Sequence, residues 1–256
     1  MIVFVFNQLL IALYLFSKDN LMTVNEIMAE LQSMGSESIK KILLKHGIKE
    51  PFFGVKVEYL KTIQKKVKKD YQLAKDLYAT GNADAMYLAG LIADDAAMTK
   101  DDLQAWVEMA VSNNISEYTV PWVAAEGKYG YEMALQWIDD KREHVAAAGW
   151  STLSNLVALK PDSELDVTVI RSLFARIVKD VHSSANRVKY TMNGFITSVG
   201  CYVPALTDEA LATAKSIGTI TIDMNGTACK IPEAQVYVNK LKERGKLGVK
   251  KKTVKC

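Results

Sequence analysis

The sequence has few cysteines and histidines, which argues against several classes of site. Its three cysteines (Cys201, Cys229 and Cys256) form no C-x-x-C pair and are odd in number. This usage is typical of a reducing compartment such as the cytoplasm and argues against a disulfide framework or a zinc site. The three histidines, at positions 46, 144 and 182, lie far apart, which disfavours a histidine-based metal site. No common catalytic signature occurs, and we expect no metal and no cofactor.

Proline and β-strand patterns are also scarce. There are only five prolines and 14 glycines, and apolar segments separated by single breaker residues favour an all-α protein. The spacing predicts about a dozen short helices, including a mostly apolar one over Glu143–Leu159. A weak period of about 35–45 residues favours a HEAT-like helical-repeat solenoid, with a compact irregular bundle as the alternative. One β-like hairpin is predicted near residues 219–231, with its turn at Asn225-Gly226.

The N-terminal 16 residues form an apolar run interrupted by Asn7 and Gln8. The run lacks a basic leader and is therefore a poor signal peptide. It is also short for a membrane-spanning helix, which needs roughly 20 residues. Met22 opens a segment that reads like an ordinary protein start. We therefore interpret residues 1–21 as an upstream extension, with a membrane anchor as the alternative, and residues 22–243 as a single HEAT-like domain.

The C-terminal segment concentrates positive charge. From Lys242 to Cys256 there are seven basic residues and one acidic residue, so this segment carries +6 while the whole chain carries +3. The rest of the chain is therefore mildly acidic. A basic tail over residues 244–256 is a candidate for nucleic acid contact. The alternative is a solvated, disordered terminus.

The stretch from Asn113 to Gly127 is the first place to look for chemistry, because it combines an acid, two large aromatic residues and a proline. If Glu117 and Pro121 share one helix, Pro121 offers no N–H to the Glu117 carbonyl, and its ring opens that turn. If Pro121 instead begins a helix, Glu117 lies in a connecting loop. The tryptophans outside this stretch fit apolar stripes and are expected in the core: Trp106, Trp137 and Trp150.

Six further stretches follow one another in an informative order: PFFGVKVEYLKTIQKKV, DAMYLAGLIADD, VPWVA, ALQWIDD, SANRVKYTMNGFITSVGCYV and DMNGTACKIPEA with its basic tail. In this order they resemble the DNA alkylation repair family, the AlkD-like HEAT-repeat DNA glycosylases. The resemblance covers roughly residues 22–256 and identifies a divergent member. It implies a monomer that binds double-stranded DNA carrying alkylated bases and releases cationic N3- or N7-alkylpurines, with no metal and no membrane.

The resemblance also implies site residues. An alkylated purine is positively charged, so its bond to the sugar breaks through an oxocarbenium-like state that a nearby carboxylate stabilises. The family's catalytic aspartate falls on Glu117. Its two tryptophans fall on Asn113 and Phe195, so one aromatic residue is kept. Its arginine falls near Ala147, with Arg142 among the nearest basic residues.

The remaining predicted contacts are with DNA. Tyr118 or Trp122 would replace the missing aromatic residue against the cationic nucleotide. Arg187 and Lys189 begin a helix that the resembling family turns towards DNA, so they are the predicted phosphate contacts. Three functions stay open: a glycosylase, a non-catalytic protein that binds DNA of unusual shape, and a protein-interaction scaffold.

Overall fold

The computed structural model describes residues 22–110, 112–227 and 230–256; the predicted N-terminal extension lies outside this part. The α-helices of the described part are α1 (Val24–Met34), α2 (Glu37–Lys45), α3 (Val57–Val67), α4 (Tyr71–Ala79), α5 (Ala83–Ile92), α6 (Lys100–Met109), α7 (Val120–Glu126), α8 (Gly130–Trp137), α9 (Glu143–Leu159), α10 (Val167–Asp180), α11 (Asn186–Tyr202), α12 (Thr207–Ile217) and α13 (Ala234–Glu243). A π-helical segment, Ile115–Thr119, precedes α7, and short 3₁₀ turns cover Asp162–Glu164, Val181–Ser183 and Pro204–Leu206.

Short polar residues begin several of these helices. Thr23 and Glu26 form a reciprocal capping box at the start of α1, and Thr99 and Asp102 form another at the start of α6. Each box satisfies backbone N–H groups that have no partner within the helix. The local sequence therefore defines these helix starts before any tertiary contact is made.

The helices pack in two layers. From α3 onward, every second helix belongs to one layer, and each helix of this layer contacts the next. The layer contains α3, α5, the π segment with α7, α9, α11 and α13. We call this set the inner layer. The intervening helices cover it, and α6 contacts α8 while α10 contacts α12. Helices two apart in sequence run in similar directions, so the N-terminal ends of the inner helices share one edge of the layer and their C-terminal ends share the other.

The core lies between the two layers. All of α5 is buried, and α9 is buried over most of its surface, as its apolar sequence predicts. The three expected core tryptophans are buried, with Trp150 fully inaccessible and the ring of Trp106 stacked on Tyr78 at 4.0 Å. Such stacked pairs add to the stabilisation from apolar burial. No helix of the described residues is both long and apolar enough to cross a membrane.

The hairpin prediction for residues 219–231 is wrong. The turn itself is present, since Asn225 and Gly226 both have positive φ, at 54° and 67°, but no strand forms in the described residues flanking it. The backbone of this segment bonds to α11 instead. The Asn186 side chain donates to the Asp223 carbonyl and accepts from its N–H, and the Asn193 amide donates to the Pro232 carbonyl. These side chains take the place of a partner strand.

The C-terminal segment is ordered, so its interpretation as a disordered terminus is wrong. Residues 248–255, which we call the strap, run along the C-terminal edge of the inner layer. Their backbone N–H groups bond to α11 at the Cys201 carbonyl, to α9 at the Ala158 carbonyl and to α7 at the Glu126 carboxylate. The Lys255 ammonium lies 2.7 Å from the Asp95 carboxylate, just beyond α5. The strap therefore joins four inner helices.

Candidate nucleic-acid interface

Glu117 lies in one continuous helix with Pro121, as the first of the two alternatives has it. The Val120 N–H donates to the Ile115 carbonyl, five residues back, and the α-helical pattern resumes at α7. Pro121 has no N–H and could not continue an ordinary α-helical ladder through Glu117. The wider π turn accommodates the proline ring, and such turns occur frequently at functional sites.

The Glu117 carboxylate is held by a bidentate ion pair. Arg187, near the start of α11, places Nε 2.6 Å from Oε1 of Glu117 and Nη2 2.6 Å from Oε2. The side chain of Glu117 is only 2% exposed and that of Arg187 is 16% exposed. Both carboxylate oxygens are therefore occupied, in the fork geometry that makes arginine–carboxylate pairs strong and directional.

Burial and charge act against each other on this pair. Burial raises the pKa of Glu117, and the hydrogen bonds and charge of Arg187 offset only part of that rise. Burial lowers the pKa of Arg187, but the Glu117 hydrogen bonds and charge outweigh it and raise that pKa. The two contacts of 2.6 Å between guanidinium nitrogens and carboxylate oxygens favour the ionised form of the pair.

Two tyrosines extend this site towards solvent. The Arg187 guanidinium lies over the Tyr190 ring, 4.3 Å from its centroid, in a cation–π contact. Burial raises the pKa of Tyr118, and the neighbouring Tyr190 and Glu117 add to that rise. Tyr118 is 46% exposed, and its ring meets the Trp122 ring edge-on at 6.1 Å. Tyr118 is thus an exposed aromatic surface beside the ion pair.

A polar cavity of about 350 Å³ adjoins Arg187 at the N-terminal edge of the inner layer. It is lined by Lys49, Asn113, Ser116 and the first residues of α9 and α11. Glu143, at the start of α9, accepts the Arg187 N–H at 2.7 Å. Burial lowers the pKa of His144, its neighbour in the cavity. The cavity therefore combines two cations, Lys49 and Arg187, with the Glu143 carboxylate, neutral polar groups and helix N-termini.

The structure brings together Glu117, Tyr118 and Arg187 from the predicted site, but it separates the others. Phe195 is 1% exposed and packs against Trp150 and Phe174, so its ring offers no surface to a nucleotide. Trp122 is 4% exposed and packs edge-on against Tyr87.

Arg142 and Lys189 lie apart from the ion pair. Arg142 pairs with Asp140 and Glu108 at the start of α9. Lys189 is half-buried. It lies on the same face of α11 as Asn186 and Asn193, whose side chains bond to the backbone of Asp223 and Pro232. The position aligned with the family's arginine, Ala147, is buried in α9. The arginine that accompanies Glu117 comes from α11 instead.

Sequence reasoning assigned Arg187 to phosphate and missed its pairing with Glu117. It also missed Tyr190 and Glu143, which contact the Arg187 guanidinium and backbone N–H. The three-residue spacing of Arg187 and Tyr190 on a helix was a usable signal, since residues three apart share a face. The 70-residue separation of Glu117 and Arg187 gave no local signal at all.

The chain matches the family model of the DNA alkylation repair enzymes over residues 27–234. It is 28% identical to Lin0241, an uncharacterized protein of Listeria innocua, over 230 residues that cover 88% of this chain and 99% of that protein. The uncharacterized Lmo0209 of Listeria monocytogenes is also 28% identical, over 232 residues that cover 88% of this chain and all of the relative.

A solved structure is also similar, with a TM-score of 0.84 and 34% identity, covering 92% of this chain and 100% of the solved one. It is described as part of a new family of proteins related to the HEAT-like repeat DNA glycosylases with affinity for branched DNA structures. The all-α, HEAT-like prediction is confirmed by this likeness and by the two helical layers.

Proposed function

Since the chain belongs to the DNA alkylation repair enzyme family, we propose that it binds DNA of branched shape and does not excise alkylated bases. The similarity to a structure from proteins with affinity for branched DNA supports the binding half of this proposal. The buried and paired state of Glu117, which aligns with the family's catalytic aspartate, supports the non-catalytic half.

The observation that carries the proposal is the pairing of Glu117. A carboxylate that stabilises a developing sugar cation must lie beside the sugar with its charge available. Both oxygens of Glu117 are 2.6 Å from Arg187 nitrogens, and the side chain is 2% exposed. Freeing the carboxylate would leave a buried guanidinium without its partner, at a cost of several kcal/mol. We therefore assign Glu117 a structural role, in which its ion pair joins the π segment to α11.

The aromatic residues also support the non-catalytic half of the proposal. Excision of a cationic base needs aromatic faces against the nucleotide. The positions aligned with the family's two tryptophans hold Asn113, whose amide donates to the His46 carbonyl, and Phe195, which lies in the core. Tyr118 is the exposed aromatic residue beside the ion pair, and it suits a base left unstacked at a branch point.

The surrounding groups suit phosphate. Lys49 lines the cavity beside Arg187, and α9 begins there without a side-chain cap, whereas the first turn of α11 is already bonded to the Glu143 carboxylate. Uncapped helix N-termini present backbone N–H groups and a partial positive charge to anions. We assign these groups and Lys189 to the backbone of the DNA at a branch point.

The test compares binding with base release. A fluorescent four-way junction, a linear duplex of equal length and a duplex holding N7-methylguanine are titrated with the full chain at two salt concentrations. We expect the junction to bind more tightly than either duplex, with affinity falling at higher salt because phosphate contacts release counterions. We expect no base release from wild type.

Two results would contradict the proposal. Base release by wild type that disappears in Glu117→Gln would assign the chain as a glycosylase. Absence of DNA binding at both salt concentrations would favour a protein-interaction scaffold. Glu117→Gln keeps the size of the side chain, so it separates loss of charge from loss of packing.

A further inference from the structure

A second basic surface lies at the other edge of the inner layer. A cavity of about 590 Å³ there is lined by five lysines and two carboxylates. Four of the lysines follow α3 along its C-terminal half and just beyond it: Lys61, Lys65, Lys68 and Lys69. We call these four the lysine edge. It shares no residue with the cavity beside Arg187.

The two acids of this cavity are already engaged. Asp95 pairs with Lys255 at 2.7 Å and lies 3.9 Å from Lys69. Glu126 accepts the Thr253 hydroxyl and the Val254 N–H of the strap. Within the part of the chain that the structure describes, Lys61, Lys65 and Lys68 form no ion pair. The cavity therefore keeps an excess of positive charge that the protein itself does not neutralise.

The backbone at Lys68 adds a second observation. Lys68 ends α3 with φ of 64° and ψ of −132°, a conformation that glycine adopts with less strain than any other residue. Lys68 is exposed and lines the same cavity as Lys65 and Lys69, at a position where glycine would suit the turn better. Strained residues of this kind occur preferentially at functional sites.

The two basic surfaces are separated by the length of the π segment and α7. Glu117 marks the N-terminal edge and Glu126, nine residues later, lines the lysine edge, which places them about 14 Å apart along the helix. That distance exceeds the screening length of about 8 Å at physiological salt. The two surfaces therefore act on DNA phosphates as separate contacts.

We propose that the lysine edge holds the phosphate backbone of a second duplex arm of a branched DNA. The first arm lies at the Arg187 cavity, so this inference rests on the proposed binding of branched DNA. A branch point sends two arms away in different directions, and two basic surfaces on opposite edges of one layer fit that geometry. A linear duplex at the Arg187 cavity does not require the lysine edge.

The test removes charge from the lysine edge and from a matched control. One full-length variant carries Lys61→Gln, Lys65→Gln and Lys68→Gln; the control carries Lys179→Gln, Lys215→Gln and Lys240→Gln, three exposed lysines elsewhere. Both lose the same net charge. Affinity for a four-way junction and a linear duplex is measured at three salt concentrations. We expect the lysine-edge variant to lose about tenfold in junction affinity, with a salt slope shallower by about 2.7 units, since each of the three lost phosphate contacts removes about 0.9.

The other outcomes separate this inference from the proposed function. If both variants bind the junction equally well and wild type still prefers it, the lysine edge is not a DNA contact, while branched DNA binding stands. If the lysine-edge variant loses junction and linear binding by the same factor, the surface does not hold a second arm. If wild type shows no preference for the junction, the proposed function itself fails, and the second arm fails with it.

A single substitution distinguishes a loss of DNA binding from a loss of folding. Lys68→Gly relieves the positive φ and removes one charge. We expect an equal or higher melting temperature together with weaker junction binding. A variant that keeps wild-type binding while gaining stability would show that Lys68 has no part in holding DNA.

Discussion

At the scale of single residues, the most informative feature is the buried ion pair between Glu117 and Arg187. The two side chains come from the π segment and α11, so their contact fixes how these helices sit against each other. Buried ion pairs contribute little net stability compared with apolar packing, but breaking one is costly because a charge stays behind. The pair therefore determines a geometry more than it supplies free energy.

The first prediction concerns Arg187→Ala, which leaves Glu117 buried without a cation. We expect the free energy of unfolding to fall by about 3–5 kcal/mol. Burial then raises the pKa of Glu117 in the folded state above its unfolded value, so the folded state binds a proton more readily. The loss should therefore be smaller at pH 5 than at pH 7, as measured by urea unfolding at both values.

The control for this prediction is the double variant Glu117→Gln with Arg187→Met, which removes both charges. Most of the lost stability should return, and the difference between pH 5 and pH 7 should shrink. A loss in Arg187→Ala that does not change with pH would show that the guanidinium acts through packing alone.

The second prediction concerns Tyr118, whose ring is exposed beside the ion pair. Stacking of a base on an aromatic side chain contributes about 1–3 kcal/mol, so Tyr118→Ala should weaken junction binding by roughly five- to 150-fold. Tyr118→Phe should bind almost as well as wild type. Tyr131→Ala is the matched control, because Tyr131 is exposed to a similar degree, at 45%, on α8. Equal losses in both alanine variants would contradict a stacking role.

At the scale of secondary-structure elements, the sequence predicts what depends on neighbours in the chain. The Glu143–Leu159 helix has the predicted bounds because its apolar content and flanking polar residues are local signals. Pro121 gave the opened turn at Glu117 as one of two local alternatives, and the structure has that one. The hairpin fails because Asn186, 37 residues away, competes for the backbone of Asp223. The Glu117–Arg187 pair is equally invisible to local patterns, since only the packed layer brings α11 to the π segment.

The third prediction tests the element that replaced the hairpin. Asn186→Ala removes two hydrogen bonds to Asp223, each contributing about 0.5–1.5 kcal/mol. We expect residues 219–231 to loosen while the helices stay folded, because Asn186 is at the start of α11 and outside the core. Limited trypsin digestion should then cut after Lys230 several-fold faster, with little change in melting temperature. Unchanged cleavage would mean that packing of Ile220 and Ile222 alone holds the segment.

At the scale of the whole molecule, the strap connects the two halves of the helical array. One hydrophobic cluster is centred on α5 and α7 and another on α9 and α11. The strap bonds to both, from the Cys201 carbonyl of α11 to the Asp95 carboxylate beyond α5. Four of the seven basic residues that suggested a nucleic-acid-binding tail lie in this strap: Lys250, Lys251, Lys252 and Lys255. Two of them form ion pairs within the protein, Lys250 with Asp162 and Lys255 with Asp95.

The last prediction follows from this connection. Lys255→Met leaves the Asp95 carboxylate, which is 3% exposed, without its 2.7 Å partner. A buried carboxylate without its cation destabilises the fold by about 3–5 kcal/mol when no other group compensates; Lys69, at 3.9 Å, reduces that loss. We therefore expect a clearly lower melting temperature in Lys255→Met and a larger decrease when residues 250–256 are removed. Lys252→Met, at an exposed position of the same strap, should change it little. If the shortened chain unfolds at the wild-type temperature, the strap does not hold the two halves together, and its lysines are available to DNA.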